Sequence, residues 1–170
     1  MNELKTLYSG KFLNLVERNG WEYVTRNTHD VAIILPIFDN GDILLISEYR
    51  HPLQQKVISM PAGLIGDHED ENIISGALRE LQEETGYTAE TLECILENSP
   101  SSSGLTSELF QMYIARGLVK VGPGGGDASE DIDVIRISSK DFLKNIPKWK
   151  KEGLYIDPKI FIGLYFIQHK

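Results

Sequence analysis

The chain has one cysteine, Cys94, among 170 residues. That excludes an internal disulfide and a cysteine-based metal site. Cys94 falls in the apolar run Leu92 to Leu96, which predicts an inert, buried thiol. The chain also lacks an apolar stretch of membrane-spanning length. Its start, Met1-Asn2-Glu3-Leu4-Lys5, has neither the basic opening nor the apolar core of a signal peptide, so the expected setting is the cytoplasm. Positive charge is scarce as well. Lys and Arg number 17 against 25 Asp and Glu, a net charge of −8. An acidic chain without a basic stripe has no general attraction for a nucleic-acid backbone. The cluster Lys144 to Lys151 reads as the solvated face of a helix. A phosphate-bearing substrate would have to be drawn by metal ions and a few placed arginines.

What is present is enough for a core, since 41% of the residues are hydrophobic. Phe12 to Glu17 and Trp21 to Arg26 alternate apolar and polar residues around Asn19-Gly20, the signal of a β-hairpin. Residues 1–28 are therefore expected to form a small N-terminal antiparallel unit, with the main domain over residues 29–170. Val31 to Phe38, Ile43 to Tyr49, Val57 to Met60, Leu92 to Leu96, Leu109 to Ala115 and Ile132 to Ile137 read as strands. A helix is expected from about Asn72 to Thr85, with Ile73, Ile74, Ala77, Leu78 and Leu81 as its core stripe and Gly86 as its left-handed cap. Ser138 or Ser139 opens a second helix with Phe142, Leu143 and Ile146 inward, disturbed by Pro147; Asp157-Pro158 opens the last. The mixture predicts an α/β (α+β) protein, an α/β/α sandwich around a mixed sheet.

The chemistry concentrates in Arg79-Glu80-Leu81-Gln82-Glu83-Glu84-Thr85-Gly86-Tyr87. Glu80, Glu83 and Glu84 stand at i, i+3 and i+4, one above another on a helix face, where like charges repel by a few tenths of a kcal/mol per pair. Arg79 is placed to neutralise Glu83. Glu80 and Glu84 are left facing one space beside the core stripe, and a hard divalent cation bound through oxygen is the natural occupant. The competing interpretation is a solvated acidic face.

That segment, with Glu71 eight residues before Arg79, resembles the Nudix box, the signature of hydrolases that cleave a nucleoside diphosphate linked to another group. The box glycine aligns with Gly63 only if the loop Gly66 to Glu71 carries a two-residue insertion, since Ile65 stands at the usual spacing; Pro61-Ala62-Gly63 favours the insertion. Gly20 to Arg26, Glu48-Tyr49-Arg50-His51-Pro52, Gly104-Leu105-Thr106-Ser107-Glu108 and Tyr155-Ile156-Asp157 are similar to the branch acting on ADP-ribose and other nucleoside diphosphate sugars. One departure is Ser59, where relatives commonly carry glutamate.

The resemblance implies a Mg2+-dependent hydrolysis, with Mn2+ as the alternative ion, that splits a nucleoside diphosphate sugar into a nucleoside monophosphate and a sugar phosphate. It implies Glu80, Glu84 and the Ala62 carbonyl as metal ligands, Glu83 beside a metal through water and paired with Arg79, and Glu71 as a brace for the loop. From a flexible glycine-rich loop, Gly122 to Asp127, it implies a last acid at Glu130, which binds metal or deprotonates the water; Asp127 and Asp131 are the substitutes. Catalysis would then rest on Glu83, Glu84 and Glu130. For substrate, it implies Trp21 stacking on the base, Glu22 and Arg26 reaching polar atoms, Arg50 clamping phosphate, and Leu64, Gly104 and Glu108 lining the sugar side. It further implies a homodimer in which Trp21 and Arg26 serve the neighbouring subunit. No histidine (His29, His51, His68, His169) is assigned a role. Two other functions compete: hydrolysis of dinucleoside polyphosphates or modified triphosphates, and a silent module that only binds a nucleotide sugar. The intact carboxylate set argues against the second of these.

Overall fold

Alternating side chains and an Asn-Gly turn build the first unit. β1 (Lys5–Ser9), β2 (Leu13–Arg18) and β3 (Trp21–Arg26) form a three-stranded antiparallel sheet in a computed structural model that describes residues 3–26, 30–65, 72–126 and 130–169. Asn19 and Gly20 both take positive φ, 57° and 78°, which gives the two-residue connection the twist of its flanking strands. The expected hairpin is thus extended by one strand.

β4 (Asp30–Pro36) is the spine of the main body. It runs parallel to β10 (Leu109–Arg116) and antiparallel to β7 (Ala62–Ile65), while β9 (Thr91–Pro100) pairs with the far side of β10. A second four-stranded sheet has the order β12 (Ile132–Ser138), β5 (Asp42–Arg50), β6 (Gln55–Ser59), β13 (Tyr155–Ile156). β8 (Tyr87–Thr88) and β11 (Val119–Lys120) form a small pair. The mixed sheet of the sandwich is therefore divided into two, joined near the Ile37 to Ile43 bridge.

Alternate residues of β4 feed two cores. Ile33 and Leu35 pack with Ile43, Leu45, Ile58 and Met60 and with Phe142, Trp149, Ile160 and Leu164 of α2 (Phe142–Lys151) and α3 (Lys159–His169). Ala32 and Ile34 pack with Ile65, Tyr113 and with Ala77 and Leu81 of α1 (Ile73–Thr85). Helices thus cover both faces, as the sandwich requires.

Local chemistry sets the helix ends. Asn72 Oδ1 accepts from the amides of Ile74 and Ser75 at 3.0 Å each, Ser75 Oγ accepts from the Asn72 amide, and Gly86 closes the helix at φ 78°.

Four expectations change. Ile74 and Leu143 are exposed, because the buried stripes of their helices run through Gly76, Ala77 and Leu81 and through Phe142 and Trp149 instead. Pro147 stays inside α2. Cys94 is exposed: a register shift between Met112 and Tyr113 brings Ile95 and Leu96 against the core and turns the thiol out. Glu84, expected to border the buried side of α1, lies within it. The loop Gly66 to Glu71, with its insertion and Glu71, lies outside the described residues, as do His29, His68 and Asp127.

Candidate active site

The carboxylates of α1 are held by what the neighbouring strands offer them. Glu84 is 3% exposed, and its Oε2 accepts a hydrogen bond from the Ala62 amide at 2.9 Å. Burial pushes its carboxyl up to about 9, against the bond from Ala62, with Glu80, Glu130 and Glu48 adding to the rise. Glu80 is also pushed up, chiefly by burial, with Arg79 opposing. Arg79 binds more than the sequence assigned to it. Its Nη1 lies 2.9 Å from both Glu80 Oε1 and Glu83 Oε2, and its Nη2 donates to the Leu64 carbonyl at 3.2 Å. One guanidinium therefore fixes two acids and pins the helix to β7.

Gly63 stands where the Glu80 carboxylate comes to rest, and a Cβ at this position would overlap it. Ile65 is buried in the core beside α1. That contrast is the physical reason for aligning the box glycine with Gly63.

The glycine-rich run is not the loose loop expected. Gly125 and Gly126 donate to the carbonyls of Glu84 and Glu83 at 2.8 and 2.9 Å, so residues 122–126 strap the C-terminal end of α1. Gly126 has φ 77°, and a Cβ there would collide with the Glu130 carboxylate and with Ile132. Glu130, four residues after Gly126, lines the cleft. Asp131 turns instead to Lys56, at 3.1 Å, which also binds Asp133 at 2.8 Å.

The cleft holds about 520 Å³. Glu80, Glu83, Glu130, Ala62, Gly63 and Leu64 line it, facing Arg26, Arg50, Arg79 and Lys159, over an apolar floor of Val31, Ile33 and Phe110. Arg26 and Glu108, both in the lining, pair at 2.9 Å. The remaining expected contacts stand elsewhere. Trp21 is 63% exposed, at the opposite end of β3 from Arg26. Glu22 is exposed beside it. Gly104 sits in a turn of residues 102–106 that docks on Val24, which accepts from the Ser107 amide and donates to the Leu105 carbonyl.

Two charged residues, one lining the cleft and one beside it, escaped sequence reasoning. Lys159 reaches the site from α3, held by Asp157 at 2.7 Å. Glu48, on β5, pairs with Arg50 at 2.8 Å; burial raises its carboxyl, Arg50 opposes the rise, and Glu130 adds to it. The signal for Glu48 was its place two residues before Arg50 on a strand.

The donor set suits a hard divalent cation. Among the described residues no three His, Cys, Asp or Glu side chains form a finished metal cage, because Arg79 and the Ala62 amide engage the acids of α1. Even so, a carboxyl buried as deeply as Glu84 beside three other acids is ionised at neutral pH only with added positive charge nearby. All the side-chain donors are oxygen.

The chain is similar to known proteins over most of its length. A protein from Bacillus methanolicus called methanol dehydrogenase activator is 33% identical over 146 residues, 85% of this chain and 75% of that one. An ADP-ribose pyrophosphatase from Bacillus subtilis (strain 168) is 33% identical over 172 residues, 96% of this chain and 89% of its own length. A crystal structure described as an ADP compounds hydrolase superposes with a TM-score of 0.66, at 23% identity, over 84% of this chain and 80% of that one, which is evidence of shared fold. The family model of the NUDIX domain matches residues 27–155, and the chain belongs to that family.

Proposed function

We propose that this chain hydrolyses the diphosphate linkage of ADP-ribose and related nucleoside diphosphate sugars, giving a nucleoside monophosphate and a sugar phosphate. The observation that carries it is the cleft where Glu80, Glu83 and Glu130 face Arg26, Arg50, Arg79 and Lys159. The close likeness over nearly the whole length of the Bacillus subtilis ADP-ribose pyrophosphatase supports the substrate class.

Glu80, Glu84, Glu130 and the Ala62 carbonyl would hold Mg2+, with Mn2+ able to replace it. When bound, the cation neutralises charge on the diphosphate and makes a water acidic enough to attack. Glu130, which lines the cleft, would take the proton of the attacking water. Arg50, whose planar guanidinium suits two phosphate oxygens, and Lys159 hold the anionic substrate. Arg79 keeps Glu80 and Glu83 in register without touching substrate. Leu64 and the Arg26–Glu108 pair border the sugar. Trp21 and Glu22 lie away from their own cleft, so they reach a base only in a second copy; the protein acts as a cytoplasmic homodimer in which residues 1–28 make the exchange. Exposed Tyr8, Phe12, Leu13 and Trp21 on the N-terminal sheet support that arrangement. No helix among the described residues is long and apolar enough to cross a membrane.

The test is a panel of ADP-ribose, other nucleotide sugars, dinucleoside polyphosphates and nucleoside triphosphates, with Mg2+ and with EDTA. Preferred turnover of ADP-ribose, lost in EDTA and in Glu84→Gln, is expected. Preference for a triphosphate would sink the substrate assignment, and binding of ADP-ribose without turnover would show a silent module.

A further inference from the structure

Strand pairing places an acid on the sheet side of the site that the helix motif does not include. β5 turns Ile46, Glu48 and Arg50 to one face, and Ser59 of β6 stands opposite Ile46 on that same face. Arg50 and Ser59 both line the cleft, one at each end of this face. Glu48 occupies the middle of this face. On its other side it pairs with Ile132, two residues after Glu130. The Glu48 side chain is only 12% exposed and lies within the field of both Glu84 and Glu130.

Ser59 supplies an independent observation. The residue is 8% exposed, and its Oγ is buried with no hydrogen-bond partner among the described residues. A buried hydroxyl left unmet is costly, which points to a site that something else completes. An acid so little exposed needs positive charge beside it. Arg50 offsets part of that charge, but its side chain is 45% exposed and reaches toward solvent.

We propose that Glu48 and Ser59 extend the divalent-cation site onto the sheet, Glu48 as a further anionic oxygen donor and Ser59 as a neutral one. The site is then gripped from two layers, by α1 and by the β5–β6 face. This rests on the metal-dependent function proposed above. A purely structural Glu48, present to orient Arg50, needs a hydrogen-bond acceptor there and no charge.

The test uses Mn2+ alone as probe, titrated into the purified full chain without substrate and read by electron paramagnetic resonance. Glu48→Gln keeps an acceptor for Arg50 and removes the charge. It is expected to weaken Mn2+ binding by about 10- to 100-fold or to remove one equivalent, the range for groups that support metal ligands. Ser59→Ala is expected to weaken it less, and it gives the same reading if Glu48→Gln does not fold, which thermal unfolding in EDTA checks. Adding Ser59→Glu to Glu48→Gln returns a carboxylate to the same face and is expected to recover binding. Arg50→Ala removes a cation from the site and is expected to leave Mn2+ binding equal or tighter. An unchanged Mn2+ isotherm in Glu48→Gln, or weaker binding in Arg50→Ala, overturns the assignment. Absence of Mn2+ binding by the unaltered chain overturns the metal-dependent function itself, a separate result.

Discussion

At the scale of single residues, Glu84 decides most. It is packed in the buried stripe of α1 with Ala77 and Leu81, and burial, opposed by the bond from the Ala62 amide, pushes its carboxyl up to about 9. The folded state therefore holds the proton more tightly than the unfolded chain, where an ordinary value near 4.5 applies. Below that ordinary value the group is protonated in both states and costs nothing. Between the two values ionisation favours unfolding, by at most about 1.4 kcal/mol per pH unit, and the penalty levels off above the folded value. The metal-free protein is thus expected to lose stability from about pH 5 to 9, and Glu84→Gln to flatten that loss and unfold later at pH 8. Denaturant unfolding in EDTA across this range measures it, and equal slopes in both proteins would rule the mechanism out. Because the cation takes the ionised acid, Mg2+ affinity is expected to rise with pH over the same window.

That residue also shows the reach of sequence. The spacing of Glu80, Glu83 and Glu84 announced a shared face, and Arg79 was placed to meet Glu83. Spacing could not tell that Glu84 would sink into the core, because depth depends on how β4 and β7 approach the helix. Glu48 and Lys159 were invisible as site residues for a related reason. Lys159 lines the cleft from α3, and Glu48 comes beside it through the pairing of β5; the motif Glu48 to Pro52 gave a role to Arg50 and none to Glu48.

At the scale of elements, the working unit is α1 with the strap around its C-terminal end. The helix was legible from its apolar period and Gly86, while the Asn72 cap came only from the structure. The strap was not, since a run of glycines reads as a loose loop when its backbone partners are unknown. Here the amides of Gly125 and Gly126 satisfy carbonyls at the end of the helix, the same groups that any helix terminus leaves open. The run that precedes Glu130 is therefore tied to the catalytic helix through Gly125 and Gly126. Gly126→Ala tests this coupling. A side chain at φ 77° is strained by about 1–2 kcal/mol, and the new methyl pushes against the Glu130 carboxylate. Turnover is expected to fall by about 10²-fold with KM little changed, the cost of misplacing a catalytic group by an ångström. Full kcat in a folded Gly126→Ala protein would show that Glu130 is not positioned by the strap.

At the scale of the whole molecule, the N-terminal sheet joins the main body at one end and leaves the other end free. Val24 bonds the turn before Glu108, and Arg26 pairs with Glu108 at the cleft. Trp21 lies five residues back along β3, about 17 Å away in an extended strand, and is largely exposed. A ring at that distance cannot stack on a base in the cleft that Arg26 lines, but a two-fold partner can receive it. Trp21→Ala is then expected to raise KM for ADP-ribose roughly ten- to a hundredfold, the loss of one stacking contact, with kcat less affected. Mixing decides whose cleft the ring enters. In a dimer of one Trp21→Ala subunit and one Glu84→Gln subunit, the first has intact catalytic acids and receives Trp21 from the second. Mixed and re-equilibrated subunits should therefore show low-KM turnover that neither variant has alone. If Trp21 served its own cleft, the subunit able to turn over would still lack it, and mixing would restore nothing. Sedimentation of the same samples checks that the dimer has formed, so a failure to exchange is read separately from a failure to complement.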